Sequence, residues 1–316
     1  MLNLRYDGLA GRGTEMRVGI LGGGRWGQAL ARLVLAAGNE PFVAYRSRAE
    51  RPPHMIPSTD HPPEVSATCG LLLVATSAHE IRSALRLAQP QPHHRILVAG
   101  RGLEPESGRW LTAVATEECG STTVGALAGP APAEEILNGG LCAGVIASQD
   151  AALRSEATAA LHSTRYRVYD TDDVLGVEFA GAAMPLLASM IGMVTSLRGA
   201  GVGLHAVVVA RGLEEMTRLA RALGAQPATL AGLAGIGDLV AVQSRPEHPH
   251  FRAGAALARG DRTQGPRALA EALLRIAREH RVDTPLLEAL VAMWNGLDPL
   301  DAVGQLMARK AQPEFR

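Results

Sequence analysis

The feature that most constrains this chain is residues 18–27, which read Val-Gly-Ile-Leu-Gly-Gly-Gly-Arg-Trp-Gly. An apolar run leads straight into Gly22-x-Gly24-x-x-Gly27, and an amphipathic segment over 28–37 follows at once. Strand, glycine turn and helix start, in that order, are the setting in which this spacing binds a dinucleotide. Gly22 permits the turn, Gly24 lets backbone N–H groups approach a pyrophosphate, and Gly27 lets helix and strand pack closely. The helix N-terminus then offers unpaired N–H groups and a partial positive charge to the phosphates. Arg25 and Trp26, inside the motif, are candidate cofactor contacts beside the three glycines. A chain with 35 glycines can meet the spacing by chance. The flanking strand and helix give it meaning.

Residues 41–46 (Pro-Phe-Val-Ala-Tyr-Arg) predict the second strand. Its end is where a dinucleotide fold presents the residue that inspects the adenosine ribose, and an acid there accepts from the 2′-OH of NAD. This chain has Tyr45-Arg46-Ser47-Arg48 and no acid before Glu50. Arg46 and Arg48 suit a 2′-phosphate, since each charge-assisted hydrogen bond contributes about 1.5–3 kcal/mol. NADP is therefore preferred to NAD. The alternative is that both are solvated loop arginines.

Further along, 51–63 is rich in Pro, His and Ser and reads as a loop. Strands are expected over 70–76, 95–100, 121–127, 141–148 and 165–171, with helices over 77–87 and 151–162. His79 opens the first of these helices, as an ordinary helix-start residue or a cofactor contact. The alternation implies an α/β domain with a doubly wound parallel sheet, a Rossmann domain, over 16–171. From Asp172 onward helical periodicity takes over, which makes 172–316 an all-α domain. Asp172 and Asp173 cap a long apolar helix reaching 197, interrupted by Pro185. Helices over 205–223 and 226–233 precede a Gly-rich turn at 234–239 and a loop at 244–250. Three more helices are expected over 267–280, 285–295 and 301–308.

Composition removes several function classes. Basic and acidic residues number 31 each, which gives no electrostatic reason to expect nucleic acid or an anionic membrane. No stretch is expected to span a membrane. Cys69, Cys119 and Cys142 are odd in number and lack metal-ligand spacing. Free thiols in a reducing cytoplasm are expected rather than disulfides, and no metal. Residues 1–15 carry no apolar signal-peptide core and read as a disordered tail, or as the product of a start codon upstream of Met16.

Four stretches together resemble NAD(P)-dependent glycerol-3-phosphate dehydrogenase. They are Gly22-Gly-Gly-Arg-Trp-Gly-Gln-Ala-Leu-Ala31, Gly176-Val-Glu178 with Gly181-Ala182, Arg211-Gly-Leu-Glu214, and Gly232-Leu-Ala-Gly-Ile-Gly-Asp-Leu239. The resemblance runs from Met16 through nearly the whole chain. It implies a Rossmann domain, a helical substrate and dimerisation domain, a homodimer, and a cleft where hydride passes between nicotinamide and a small anionic substrate.

The positions that carry chemistry in that family differ here. The family's Lys-Gly pair after a Rossmann strand reads Arg101-Gly102, and its Gly-Pro-x-Phe-Ala-x-Glu reads Gly129-Pro-Ala-Pro-Ala-Glu-Glu135. Its Lys-Asn on the long helix is Met184-Pro185, and an Asp-Asn pair is Leu204-His205. Its phosphate-holding Ser-Arg-Asn falls at His248-Pro249-His250, between Arg245 and Arg252. Methionine cannot move a proton, and a general acid/base typically supplies 10²–10⁴-fold in rate. Arg101 can polarise a carbonyl but stays charged. His205, oriented by Asp238, is the candidate proton shuttle, or else a polar residue at a helix start. His248 and His250 rank behind it, in a loop. Arg245 and Arg252 are the candidates to hold a phosphate or carboxylate, or else are solvated. The expected function is a divergent oxidoreductase of this kind; the alternative is a nucleotide-binding pseudoenzyme with a regulatory or assembly role.

Overall fold

The computed structural model describes residues 16–46, 56–120 and 123–311. The 1–15 segment and Arg48 lie outside them. The first domain runs β1 (Arg17–Leu21), α1 (Arg25–Ala36), β2 (Glu40–Ala44), β3 (Ser58–Thr59), α2 (Pro62–Thr68), β4 (Leu71–Val74) and α3 (Ile81–Ala88). It continues with β5 (Arg95–Val98), α4 (Leu111–Cys119), β6 (Val124–Ala128), α5 (Ala133–Leu137), β7 (Cys142–Ser148), α6 (Ala151–Leu161) and β8 (Tyr166–Thr171). One sheet holds the strands in the order β3-β2-β1-β4-β5-β6-β7-β8. Strands such as Leu71–Val74 are apolar at every position because both faces are covered by helices. The order turns back between β1 and β4, and a doubly wound sheet binds ligands at the strand C-termini of that point.

Several local expectations change. β6 and β7 pair antiparallel, so the sheet is parallel except for this one pair. The 51–63 stretch was expected to be a loop, yet its last residues, Pro62 and Pro63, start α2. Proline is suited to the first helical turn, where its missing N–H has no partner to lose.

The second domain comprises α7 (Val174–Ser196), α8 (Val202–Ala222), α9 (Pro227–Ala231), a π-helical turn at Leu233–Gly237, and α10 (Asp238–Gln243). It ends with α11 (Pro249–Leu257), α12 (Arg267–Glu279), α13 (Pro285–Trp294) and α14 (Pro299–Met307). The Gly-rich 234–239 stretch is thus helical, not a turn, and the expected 244–250 loop is cut short by α11. Pro185 does not interrupt α7, which runs 23 residues through it. Ser189 Oγ lies 3.0 Å from the Pro185 carbonyl oxygen and 3.1 Å from that of His250, and donates to one at a time. α7 also has the length and apolarity of a membrane span, contrary to the sequence expectation, but 83% of that window is buried inside the protein. A helix apolar on every side is a core helix when other helices surround it.

The helical domain contains a pH-dependent support. Glu215 of α8 is 1% exposed and accepts from the backbone N–H groups of Leu286 and Leu287, both at 2.9 Å. It thereby caps α13 from a neighbouring helix. Burial pushes its carboxyl up to about 7 from 4.5, against the lowering effect of those two N–H donors. Between these values the folded state binds the proton that the unfolded state has released. Stability therefore falls as pH rises from about 4.5 to about 7, by on the order of 3 kcal/mol, and this contribution is level above. Glu215→Gln is expected to flatten that decline. Urea midpoints for both proteins across the window check it, and parallel curves would reject it.

Candidate active site

The fingerprint is built for close approach. Gly22 has φ +110°, and a Cβ there would sit 2.8 Å from the Ala75 carbonyl oxygen. A Cβ at Gly27 would overlap the Gly22 carbonyl, so helix and turn touch backbone to backbone. Gly24 has no atom within 4 Å of where its Cβ would be. The first α1 bond within the helix runs from Gln28 N to Gly24 O at 2.9 Å, and neither a side-chain cap nor an acid occupies the first turn. Open space, free N–H donors and a positive helix end fit a dinucleotide pyrophosphate.

The side chains around the motif are tied into the fold. Trp26 donates from Nε1 to the Ala99 carbonyl at 2.9 Å, joining α1 to the end of β5. Arg25 makes a two-point pair with Glu134 of α5, with Nε–Oε1 at 2.8 Å, on the exposed surface. Arg46, 75% exposed beyond β2, pairs with Glu80 at 2.9 Å. His79 is exposed in the turn before α3, which begins only at Ile81.

A cleft of about 480 Å³ lies between the domains. Its sheet side is formed by Trp26 and by residues following β4, β5 and β6, among them Ser77, Arg101 and Gly129. Gly181 and Pro185 of α7, Asp238, Arg245, His248 and His250 face them from the helical side. Arg101 and Asp238 join across it, Nη1 to Oδ2 at 2.5 Å and Nη2 to Oδ1 at 3.0 Å. Arg101 Nη2 also donates to the Gly129 carbonyl at 3.0 Å. Its stem runs beside Gly181, where a Cβ would lie 3.6 Å from Arg101 Cγ, an ordinary contact. Arg245 lines the same cleft and pairs through Nε with Glu247 at 3.0 Å.

The other named residues lie elsewhere. His205 is half-buried on α8, between Thr195 Oγ1 at 3.3 Å and Gln243 Oε1 at 3.4 Å, and is not part of the cleft lining. Asp238 does not orient it, because the two His205 ring nitrogens face Thr195 and Gln243 while Asp238 pairs with Arg101. Arg252 is exposed on α11, away from the cleft lining. Met184 is fully buried in the helical core, so only its neighbour Pro185 reaches the cleft. Glu178 instead accepts from Thr112 N at 2.9 Å and Thr112 Oγ1 at 2.5 Å. It caps α4 of the first domain from α7, and burial pushes its carboxyl up to about 7.

In place of His205 the cleft contains His248 and His250, whose ring centroids are 5.3 Å apart. Pro249 occupies the first position of α11, which makes His248 the N-cap, its Nδ1 accepting from His250 N at 3.3 Å. Burial, then the neighbouring positive charges, push both imidazoles down, His250 to about 4. Both are neutral near pH 7. A Pro one residue after a polar side chain is a helix-start signal that would have found this pair.

Comparison with known proteins agrees with this fold. Residues 17–154 match the family described as NAD-dependent glycerol-3-phosphate dehydrogenase N-terminus, and residues 173–304 match its C-terminus. The chain belongs to the NAD-dependent glycerol-3-phosphate dehydrogenase family. A glycerol-3-phosphate dehydrogenase [NAD(P)+] of Paucimonas lemoignei is 33% identical, covering 95% of this chain and 98% of its own length. One from Mesorhizobium japonicum is 32% identical, covering 95% and 94%. The crystal structure of glycerol-3-phosphate dehydrogenase from Coxiella burnetii superposes with TM-score 0.82 at 25% identity, covering 93% of this chain and 99% of that one. The dehydrogenase fold is therefore present nearly end to end. Within it, the lysine expected on α7 is a core methionine.

Proposed function

We propose that the protein is an NAD(P)(H)-dependent oxidoreductase that transfers hydride to or from a small hydroxy or keto compound bearing a phosphate or carboxylate. The observation that carries this reading is one cleft that gathers two arginines and two neutral imidazoles beside the open glycine turn. Gly22, Gly24 and Gly27 would hold the dinucleotide, and the nicotinamide supplies or accepts the hydride. Arg101 polarises the substrate carbonyl, and Arg245 receives the anionic group. Arg46 favours the 2′-phosphate of NADP, and must leave Glu80 to do so. Three unpaired cysteines fit the cytoplasm. Val207, 48% exposed, and Met307, 72% exposed, line one largely apolar groove of the helical domain, a surface suited to a homodimer.

NADPH is expected to bind about tenfold or more tightly than NADH, the equivalent of one charge-assisted hydrogen bond. Arg46→Asp should remove the difference. Calorimetric titration of both cofactors checks it, and equal affinities in the unaltered protein would sink the NADP preference. Turnover is then measured with NADPH on dihydroxyacetone phosphate and on a panel of small keto acids. NADPH binding with no turnover on the panel would leave the pseudoenzyme reading.

A further inference from the structure

The replacement of the family's lysine by a core methionine leaves the proposed reaction without a proton donor at the substrate oxygen, and the cleft offers one group placed to act. His250 is the second residue of α11, and its backbone is fixed at both ends. Its N–H donates to His248 Nδ1, and its carbonyl faces Ser189 Oγ of α7. Its ring nitrogens make no hydrogen bond among the described residues, and the residue lines the cleft. His248 differs in having Nδ1 already engaged as the α11 cap.

Charged and titratable groups surround His250 from each neighbouring element. Arg101 follows β5, Asp238 on α10 is locked to it, and Arg245 and Glu247 pair between α10 and α11. His248 caps its helix, and Tyr166 of β8 lines the cleft with its hydroxyl unpartnered among the described residues and its titration pushed up by burial. α7 contributes Pro185 and Ser189, neither of them charged. The two cleft arginines differ in how many donors they have left. Arg101 spends three N–H donors on Asp238 and Gly129, and Arg245 spends its Nε–H on Glu247. A guanidinium has five donors, so among the described residues Arg245 keeps a complete pair of terminal nitrogens for a bidentate anion. Such an anion in the cleft favours the charged form of His250, against the burial that chiefly keeps that imidazole neutral.

Resting on the oxidoreductase reading, we infer that His250 is the proton donor and acceptor at the substrate oxygen, charged by the binding of an anionic group at Arg245. In the reducing direction a C–H bond forms from the incoming hydride, with a reduced nicotinamide dinucleotide as the reductant. The carbonyl π pair moves onto oxygen, and an O–H bond forms with the proton leaving the imidazolium nitrogen. The neutral imidazole that remains is the base for the reverse step. A substrate lacking the anionic group leaves His250 uncharged, so the same device selects against neutral ketones.

Sulfate is the probe, because it remains a dianion throughout the working pH range. Calorimetry at pH 6.5 in buffers of different ionisation enthalpy is expected to show uptake of up to one proton per sulfate bound. His250→Gln should bind sulfate with uptake abolished, while His248→Gln retains it. Nitrogen-detected NMR should place the His250 ionisation near 4 without sulfate and above 6 with it, as charging at pH 6.5 requires. In steady state with NADPH, His250→Gln should lower kcat about 10²-fold or more. Failure of sulfate to bind, or uptake unchanged in His250→Gln, overturns the inference. Undiminished kcat in that variant rejects the proton role while leaving the oxidoreductase reading intact. Absence of NADPH binding in the unaltered protein rejects that reading instead.

Discussion

Arg101→Ala is expected to lower kcat/KM at least about 10²-fold and to destabilise the protein by about 3 kcal/mol. Asp238, whose side chain is 6% exposed, would lose both donors that satisfy its carboxylate. Removing one partner of such a pair leaves an uncompensated buried charge, which costs about 3–5 kcal/mol in a dry setting. The Arg101 side chain is 36% exposed, so water can reach the vacated position and the loss falls at the low end. The pair also joins the loop after β5 to the start of α10, and so helps set the width of the cleft. Arg101→Lys keeps the charge but not the two-point geometry, and should recover stability more than rate. Asp238→Asn in the Arg101→Ala background should restore part of the stability and none of the rate. Urea unfolding and steady-state kinetics on the three variants check this. A rate loss without a stability loss would show that the pair is not the cross-domain support inferred here.

The same pair shows which part of the site was legible in sequence. Arg101 was visible because it follows an apolar strand, where a parallel sheet collects its ligand-facing residues. Asp238 was visible through its Gly-rich surroundings. That the two would join across the cleft, with His205 turned instead to Thr195 and Gln243, depended on the path of α10 past the cleft. No spacing along the chain encodes that path. His205 and His250 look alike as letters, each near a helix start. His205 lies between Thr195 and Gln243 on α8, whereas the tight α7–α11 packing carries His250 to the cleft wall.

The fold was more legible than the site, for reasons that differ by element. β4 announces itself as Leu-Leu-Leu-Val because a strand covered on both faces must be apolar throughout. The short α5 and the antiparallel β6–β7 pair were hidden, because five residues of helix carry too little periodicity to read. The 234–239 stretch misled because glycine usually marks a turn. Here a Cβ at Gly235 would overlap the Leu230 carbonyl, so the glycine serves close packing inside a π-helical turn.

Gly254→Ala is expected to cost about 3 kcal/mol, the top of the usual range for overpacking, although it adds one methyl group to a helix. In most helices that exchange is stabilising by about 0.8–1 kcal/mol. Here α11 crosses α7 with backbone against backbone. A Cβ at Gly254 would overlap the Ser189 carbonyl and lie 2.8 Å from Met193 N. The reciprocal glycine on α7, Gly192, would overlap the Phe251 carbonyl in the same way. Neither obstacle is a flexible side chain, so the helices must separate. Separation moves His250, four residues earlier on α11, and breaks the contact of its carbonyl with Ser189 Oγ. The variant should therefore lose sulfate-linked proton uptake under conditions where it is still folded. Gly304→Ala on α14 is the matched control, because no atom lies within 4 Å of its Cβ position. It should gain about 0.5–1 kcal/mol and leave the cleft unchanged. Thermal and urea unfolding of the two variants separate crowding at the crossing from helix propensity. Equal and small effects at both positions would show that α7 and α11 can part without cost, and with that the rigid placement of His250 would fail.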